Sequence, residues 1–346
     1  MKSKPIFILA NDVHLTKDNC VMVMDLFSQM VAACNKFKVE NLIIGGDMFT
    51  NRSGQPLSVL LACKACFDLL AKNGIELHII PGNHDKTDLT ADGSYLDIFS
   101  DEDNGIYVIN EPKRYCFIGV DVYFMPYYRE DVWCEKLTQL LRDKPLRSGR
   151  KNMLVTHIGI NGVKNNDGSL VSGAVSADLL KDFDEVFVGH YHNCSEVGEN
   201  IHYTGSLYQN DYSEDFLKGF VAINDDLSFF RLSSDSPRWI KEEVQAEDVS
   251  GIRNLIEKYE GGKDNVRLII KGKKTDCDKI NVAEIRKHGI DVKVQTDEEV
   301  EAIEVSQTAS LQFDKVSIKK DFIKFCSDNG IKGDEFRFGL DLIKGI

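Results

Sequence analysis

Apolar and polar positions follow one another in blocks that read in turn as strand, loop and helix over the first eighty residues. Residues 6–10 form an apolar run, followed by a polar loop over 11–19 and helically spaced apolar residues over 20–37. A short apolar run at 41–44, a glycine-rich turn, helical spacing over 56–72 and a buried type of strand at 76–80 repeat the order. Pro56 suits a helix start, where its missing N–H would be unpaired in any case. Strand and helix in alternation predict an α/β layer architecture.

Strands crowd together further on. They are predicted at 107–109, 114–118, 120–125, 152–156, 185–188, 201–204, 219–223 and 227–232, with one helix at 132–142. Several are antiparallel by loop length, and Gly119 and Asp121 lie near a tight turn. Two packed sheets with helices outside accommodate this mixture. The polar cluster at 233–237 places a domain boundary there, so the first domain covers 1–235. Strand, helix and strand at 266–271, 282–287 and 292–295 make a small α/β module within 236–296. An acidic linker at 296–304 and amphipathic helices at 317–326 and 335–343 follow in a last segment, 297–346.

Composition narrows the class. The chain has 346 residues, 42% hydrophobic and 28% charged, which is ample for a large buried core. No apolar run is long enough to span a bilayer, and the start is too short for a signal-peptide core, so the protein reads as cytosolic. Nine cysteines without small-domain spacing read as reduced thiols. Cys63 and Cys66 form a C-x-x-C, but within an apolar helix, and read as core-facing. The net charge of −13 argues against a free-standing nucleic-acid binder. It leaves room for a nucleic-acid enzyme whose positive field comes from metals or a partner.

The chemistry gathers at strand ends. Asp12-Val-His14 follows the first strand, Gly45-Gly-Asp47 the second and Pro81-Gly-Asn-His-Asp85 the third. His157 ends a later strand and Gly189-His-Tyr-His192 another. On extended chain, residues two apart face the same way, and ligands of α/β sheets gather at the carboxyl ends of strands. Five of eight histidines lie in these motifs. Imidazole with carboxylate and amide oxygen suits manganese, iron or zinc. Two such ions about 3.5–4 Å apart could clamp both oxygens of an in-line displacement at phosphorus, with Asp47 as the natural bridge. His78, His202 and His288 lie outside the motifs and read as structural.

Asp-x-His, Gly-Asp, Gly-Asn-His-Asp, a single His and Gly-His-x-His together resemble the calcineurin-like metallophosphoesterases, over about residues 6–206. That family implies a four-layer β-sandwich flanked by helices. It implies Asp12, His14, Asp47 and His192 on one metal and Asp47, Asn83, His157 and His190 on the other. His84 would act on the transition state or leaving oxygen, with Asp85 orienting it. Within the superfamily the chain looks most like the SbcD-type double-strand-break repair nucleases, especially the recombination endonuclease subunits of T-even-like phages. Gly-Asn-His-Asp, Tyr203-Thr-Gly-Ser206, the length beyond the core and an acidic stretch at 298–305 carry that likeness. Thr50 departs from it, since many cellular members have histidine there.

The resemblance implies manganese-dependent cleavage of DNA phosphodiesters, exonucleolytic at ends and endonucleolytic on single strands or hairpins. It also implies an SbcC-type coiled-coil ABC ATPase partner gripping the C-terminal helices after a small α/β capping domain. The loop at 161–169 is polar and glycine-rich and lies after His157, where it could contact substrate. Helix 20–37 is apolar on more than one face; core burial accounts for most of that, and a homodimer contact is the other use. The competing reading is a phosphatase or cyclic-nucleotide phosphodiesterase using the same metals. The long C-terminal extension argues against it.

Overall fold

A computed structural model describes residues 3–164, 169–171 and 174–297, together with 322, 323, 326 and 336. It divides into two units: Met1–Ile240 with Lys263–Asn265, and Lys241–Gly262 continued from Val266. Most of the expected C-terminal helices, most of the acidic linker, and residues 165–168 of the loop after His157 lie outside the described residues.

The first unit runs β1 (Pro5–Ala10), α1 (Cys20–Phe37), β2 (Asn41–Ile44), α2 (Leu57–Lys72), β3 (Glu76–Ile79), β4 (Ile106–Val108), β5 (Lys113–Cys116) and β6 (Val120–Met125). It continues with α3 (Glu130–Asp143), β7 (Lys151–His157), β8 (Glu185–Gly189), β9 (Ser195–Val197), β10 (Ile201–Tyr203), β11 (Gly219–Asn224) and β12 (Phe229–Ser233). One six-stranded sheet has the order β12-β11-β1-β2-β3-β4 and the other β5-β6-β7-β8-β10-β9. β1 to β4 are mutually parallel, as are β6, β7, β8 and β10. The antiparallel pairs join β5 to β6, β9 to β10, β1 to β11 and β11 to β12.

Strict alternation in these strands builds the layers. Phe7 and Leu9 of β1, with Val120, Val122 and Phe124 of β6 and Met153 and Val155 of β7, form one core shared by the two sheets. Ile8 and Ala10 point the other way, into a core made with Val23, Phe27 and Met30 of α1 and Cys63, Cys66 and Phe67 of α2. Tyr123, Met125 and Leu154 face Trp133, Leu137 and Leu140 of α3. Helix, sheet, sheet and helix make the expected four layers. Strands buried on both faces read as continuous apolar runs, which is why they were legible.

Local chemistry sets the boundaries. Lys38 takes a left-handed conformation (φ 58°) and closes α1, its N–H reaching Asn35 O and Cys34 O. Pro56 stands one residue before α2, and its carbonyl accepts from Val59 and Leu60. Cys63 and Cys66 are buried in α2 as free thiols, and burial pushes Cys66 up to about 12.

A third sheet has the order β13-β14-β15, from β13 (Trp239–Gln245), β14 (Asn265–Gly272) and β15 (Asp291–Thr296). α4 (Val249–Tyr259), α5 (Lys274–Cys277) and α6 (Val282–Arg286) connect its strands. β13 and α4 have no counterpart in the sequence reading. In β13 charged residues separate the buried Ile240 and Val244, and α4 buries Ile252 alone beside an interior Gly251. β13 thus lacks clean alternation, because Glu242 stands between its two buried residues, whereas Val249, Ile252, Leu255, Ile256 and Tyr259 of α4 do recur at helical spacing.

Phe187 of β8 is fully buried between the sheets, its ring 5.2 Å from that of Phe229. Phe187→Ala should cost about 3–5 kcal/mol. Urea unfolding checks this as a lowered midpoint at an unchanged slope; a loss below about 1 kcal/mol would show that the sheets close over the gap.

Candidate metal centre

The parallel strands β1, β2 and β3 end at the same side of their sheet, and β7 and β8 end together in the other. Main-chain bonds then lock the connecting loops. Asp12 N donates to Gly46 O at 3.1 Å and His14 N to Asp47 O at 3.0 Å. Asn11, almost fully buried, donates from Nδ2 to Val188 O (3.2 Å) and Thr204 Oγ1 (2.6 Å), joining β1 to the opposite sheet. Asp12 (φ 52°), His14 (47°), Asp47 (53°) and His190 (104°) all have left-handed backbones. Each costs about 1–3 kcal/mol and persists only where its surroundings over-determine it. The side chains of Asp12 and His14 therefore converge through two strained residues, not through the extended spacing anticipated from sequence. Glycines make the room. A Cβ on Gly46 would fall 2.3 Å from His157 Nδ1, and one on Gly82 2.2 Å from Asp47 Oδ1.

All seven expected metal ligands meet here. Ligand atoms of Asp12, His14 and His192 lie within 4.8 Å of one another, as do those of Asp12, Asp47 and His157. His14 Nε2 is 2.9 Å from His192 Nε2 and 3.8 Å from Asp47 Oδ2. His157 Nε2 is 3.3 Å from Asp47 Oδ2 and 3.1 Å from Asn83 Oδ1, which is itself 2.9 Å from His190 Nδ1. Asp47 thus faces both groups, and Asp12 is common to both. Asp12 and Asp47 are 0% and 2% exposed.

Hydrogen bonds aim the rings. His157 donates from Nδ1 to Gly45 O (2.9 Å) and His192 from Nδ1 to Glu214 Oε1 (2.6 Å), so both turn Nε2 inward. Buried carboxylates together with imidazole nitrogens and an amide oxygen fit divalent ions of borderline hardness. Burial lowers His14 and His190 to about 3, leaving both neutral. At His157 burial acts downward too, but Asp47 and Asp12 outweigh it and raise the ring to about 9. Asp47, which burial alone would raise, is held low by His157 and His14.

His84 lines the same cavity, which encloses about 970 Å³. Its N–H donates to Asp47 Oδ1 (2.8 Å) and its ring Nδ1 to Thr50 O at 2.5 Å. Asp85 does not orient that ring, contrary to expectation. Its carboxylate accepts from the N–H groups of Gly82 (2.9 Å), Phe49 (2.9 Å) and Met48 (3.2 Å). Facing one backbone donor of its own turn and two of the loop after β2, it ties that turn to the loop, and the carbonyl of Thr50 takes the orienting part. The side chain at position 50, where the likeness departs, is not what makes this contact.

Sequence reasoning missed Glu214. This carboxylate is 6% exposed, holds His192, and is met by Lys218 Nζ at 3.1 Å. Burial opposes ionisation, but His192 and Lys218 lower it to about 2. It stands in a polar stretch without a motif, so no local signal marked it. The histidines read as structural are elsewhere engaged: His78 stacks on Tyr107 at 4.9 Å, His202 bonds Glu185 at 2.7 Å and His288 bonds Glu260 at 2.7 Å.

A family model for calcineurin-like phosphoesterases matches residues 6–194, more than half of the chain and every expected site residue. The chain belongs to this family. The phosphoesterase is 25% identical over 185 residues to exonuclease subunit 1 of Enterobacteria phage T4, covering 53% of this chain and 52% of that protein. It is 30% identical over 191 residues to the DNA double-strand break repair protein Mre11 of Saccharolobus solfataricus, covering 53% and 48%. The phosphoesterase therefore spans about half the length of the curated relatives it matches. A dimetal phosphatase structure from Danio rerio covers 59% of this chain and 88% of its own at 11% identity, with a TM-score of 0.40, too low to bear on function.

Because His157 is protonated below about 9, an ion that takes its Nε2 must displace a proton. Metal affinity should rise with pH up to about 9 and level off above it. Titration calorimetry at pH 7 in buffers of different ionisation enthalpy should show about one proton or more released per chain; none would exclude His157 as a ligand. Glu214→Ala should weaken metal binding about 10- to 100-fold, read by the same titration.

Proposed function

We propose that this phosphoesterase is the manganese-dependent DNA nuclease subunit of a recombination and repair complex, acting as exonuclease and endonuclease. One observation carries the reading: two Asp/His groups that share Asp12, with His84 beside them, face a cavity of about 970 Å³. In this reading Asp12, His14, Asp47 and His192 hold one ion, and Asp47, Asn83, His157 and His190 the other. Bound ions would supply Lewis-acid chemistry at a phosphodiester. His84, with Nδ1 tied to Thr50 O, turns Nε2 toward the cavity, where its protonated form can donate to the departing oxygen. Asp85 holds the turn that carries Asn83 and His84. DNA as substrate is supported by the likeness to an exonuclease and a double-strand break repair protein over the half that bears the site.

The rest of the proposal follows from the notion of a subunit. Residues 236–296 serve as a capping domain, and the segment from 297 docks an SbcC-type coiled-coil ABC ATPase. A partner that supplies the basic DNA-binding surface would reconcile a net charge of −13 with a nuclease. A homodimer through α1, where Val21 is exposed, belongs to the same reading. No helix among the described residues is long and apolar enough to cross a membrane, and we place the protein in the cytoplasm.

With manganese the protein should cleave linear and single-stranded DNA and lose the activity to a chelator. Turnover of small phosphodiesters or cyclic nucleotides without any DNA cleavage would favour the phosphatase or cyclic-nucleotide reading. His84→Ala should lower cleavage about 10²- to 10⁴-fold while metal stays bound; lost metal would make His84 a ligand. Removing the residues after 306 should abolish binding of the ATPase subunit and spare basal cleavage.

A further inference from the structure

The cavity over the metal centre has a second wall. Beyond His14, Asp47 and His192 it is lined by Tyr208, Gln209, Asn210 and Trp239, all within the first unit. Among the described residues no lysine or arginine lines it. For a nucleic-acid strand entering here, the described wall offers amide and aromatic contacts rather than cationic ones.

Trp239 is half-buried, whereas the protein's other tryptophan, Trp133, is sealed in the core. Its backbone is clamped by one buried side chain: Trp239 N donates to Gln209 Oε1 at 2.9 Å, and Gln209 Nε2 approaches Trp239 O at 3.3 Å. Gln209 Nε2 also donates to Glu214 O at 2.9 Å, and Glu214 holds His192 through Oε1. The ring of Tyr212 meets the indole edge-on at 4.8 Å. A short chain of hydrogen bonds therefore links the indole's backbone to a candidate metal ligand and sets the distance between them.

We propose that Trp239 is a base-stacking platform that receives the nucleobase adjoining the phosphate under attack. A base can lie on an indole only after leaving its own stack, so the favoured substrate is a single-stranded or frayed nucleotide. The platform accepts any base, because each has a π-face. The inference rests on the nuclease reading and names the part of DNA that the site grips.

The test compares a single-stranded oligonucleotide, the same oligonucleotide with an abasic site at the cleaved nucleotide, and bis(4-nitrophenyl) phosphate. Stacking is worth about 1–3 kcal/mol per base, so Trp239→Ala should raise KM for the oligonucleotide about 5- to 150-fold. Trp239→Phe should restore most of it, and turnover of bis(4-nitrophenyl) phosphate should stay unchanged. Abasic DNA should make the wild type behave like Trp239→Ala. Equal losses on oligonucleotide and small diester, or no penalty for the abasic site, would overturn the platform. Without metal, oligonucleotide should quench the wild-type tryptophan emission and leave that of Trp239→Phe untouched; equal quenching of both would overturn it too. Failure of the wild type to cut any DNA would instead sink the nuclease reading, with the quenching experiment deciding the platform separately.

Discussion

Two carboxylates buried at the junction of two sheets govern this molecule. Asp12 and Asp47 are withdrawn from water, and an isolated buried carboxylate costs several kcal/mol or more unless it is paired. Imidazoles from β7 and from the loops after β1 and β8 surround them, and only part of the negative charge is met by protonation of His157. A donor set of buried carboxylates, imidazoles and an amide oxygen aimed at one another suits a cation. The arrangement is preorganised: the price of gathering these groups is met by the fold before any ion arrives.

That preorganisation explains the backbone. Four of the site residues sit in the left-handed region, and the turns carrying them are held by main-chain bonds, by Asp85 and by close approach at Gly46 and Gly82. Strain of this kind survives because rigid parallel strands on both sides leave the loops no alternative. Asn11 makes the two sheets act together, since its amide spans from the end of β1 to β8 and Thr204. Function thus lies at strand ends that a close-packed sandwich holds still.

The outer surroundings divide the work. Glu214 and Lys218 steady His192 from one side, and Thr50 O steadies His84 from the other. Gln209 carries the same support out to Trp239. Among the described residues the cavity has an acidic floor and an amide and aromatic wall, without lysine or arginine.

The sequence by itself determined the four-layer fold and singled out the candidate ligands that the structure brings together. Continuous apolar strands followed by Asp-x-His, Gly-Asp, Gly-Asn-His-Asp and Gly-His-x-His are local patterns, and local patterns survive in one dimension. It also separated His78, His202 and His288 from the cluster. Only the tertiary structure decided how the ligands converge, because left-handed Asp12 and His14 are imposed by neighbours and not by their own spacing. It alone turned Asp85 to the backbone, recruited Thr50 O for His84 and brought Glu214 to His192 across 22 residues. β13 likewise escaped notice, since Glu242 interrupts the alternation of its buried Ile240 and Val244, while α4 does carry a helical spacing in its sequence. A side chain's partner is set by packing between distant segments, and that information is not written next to the residue it governs.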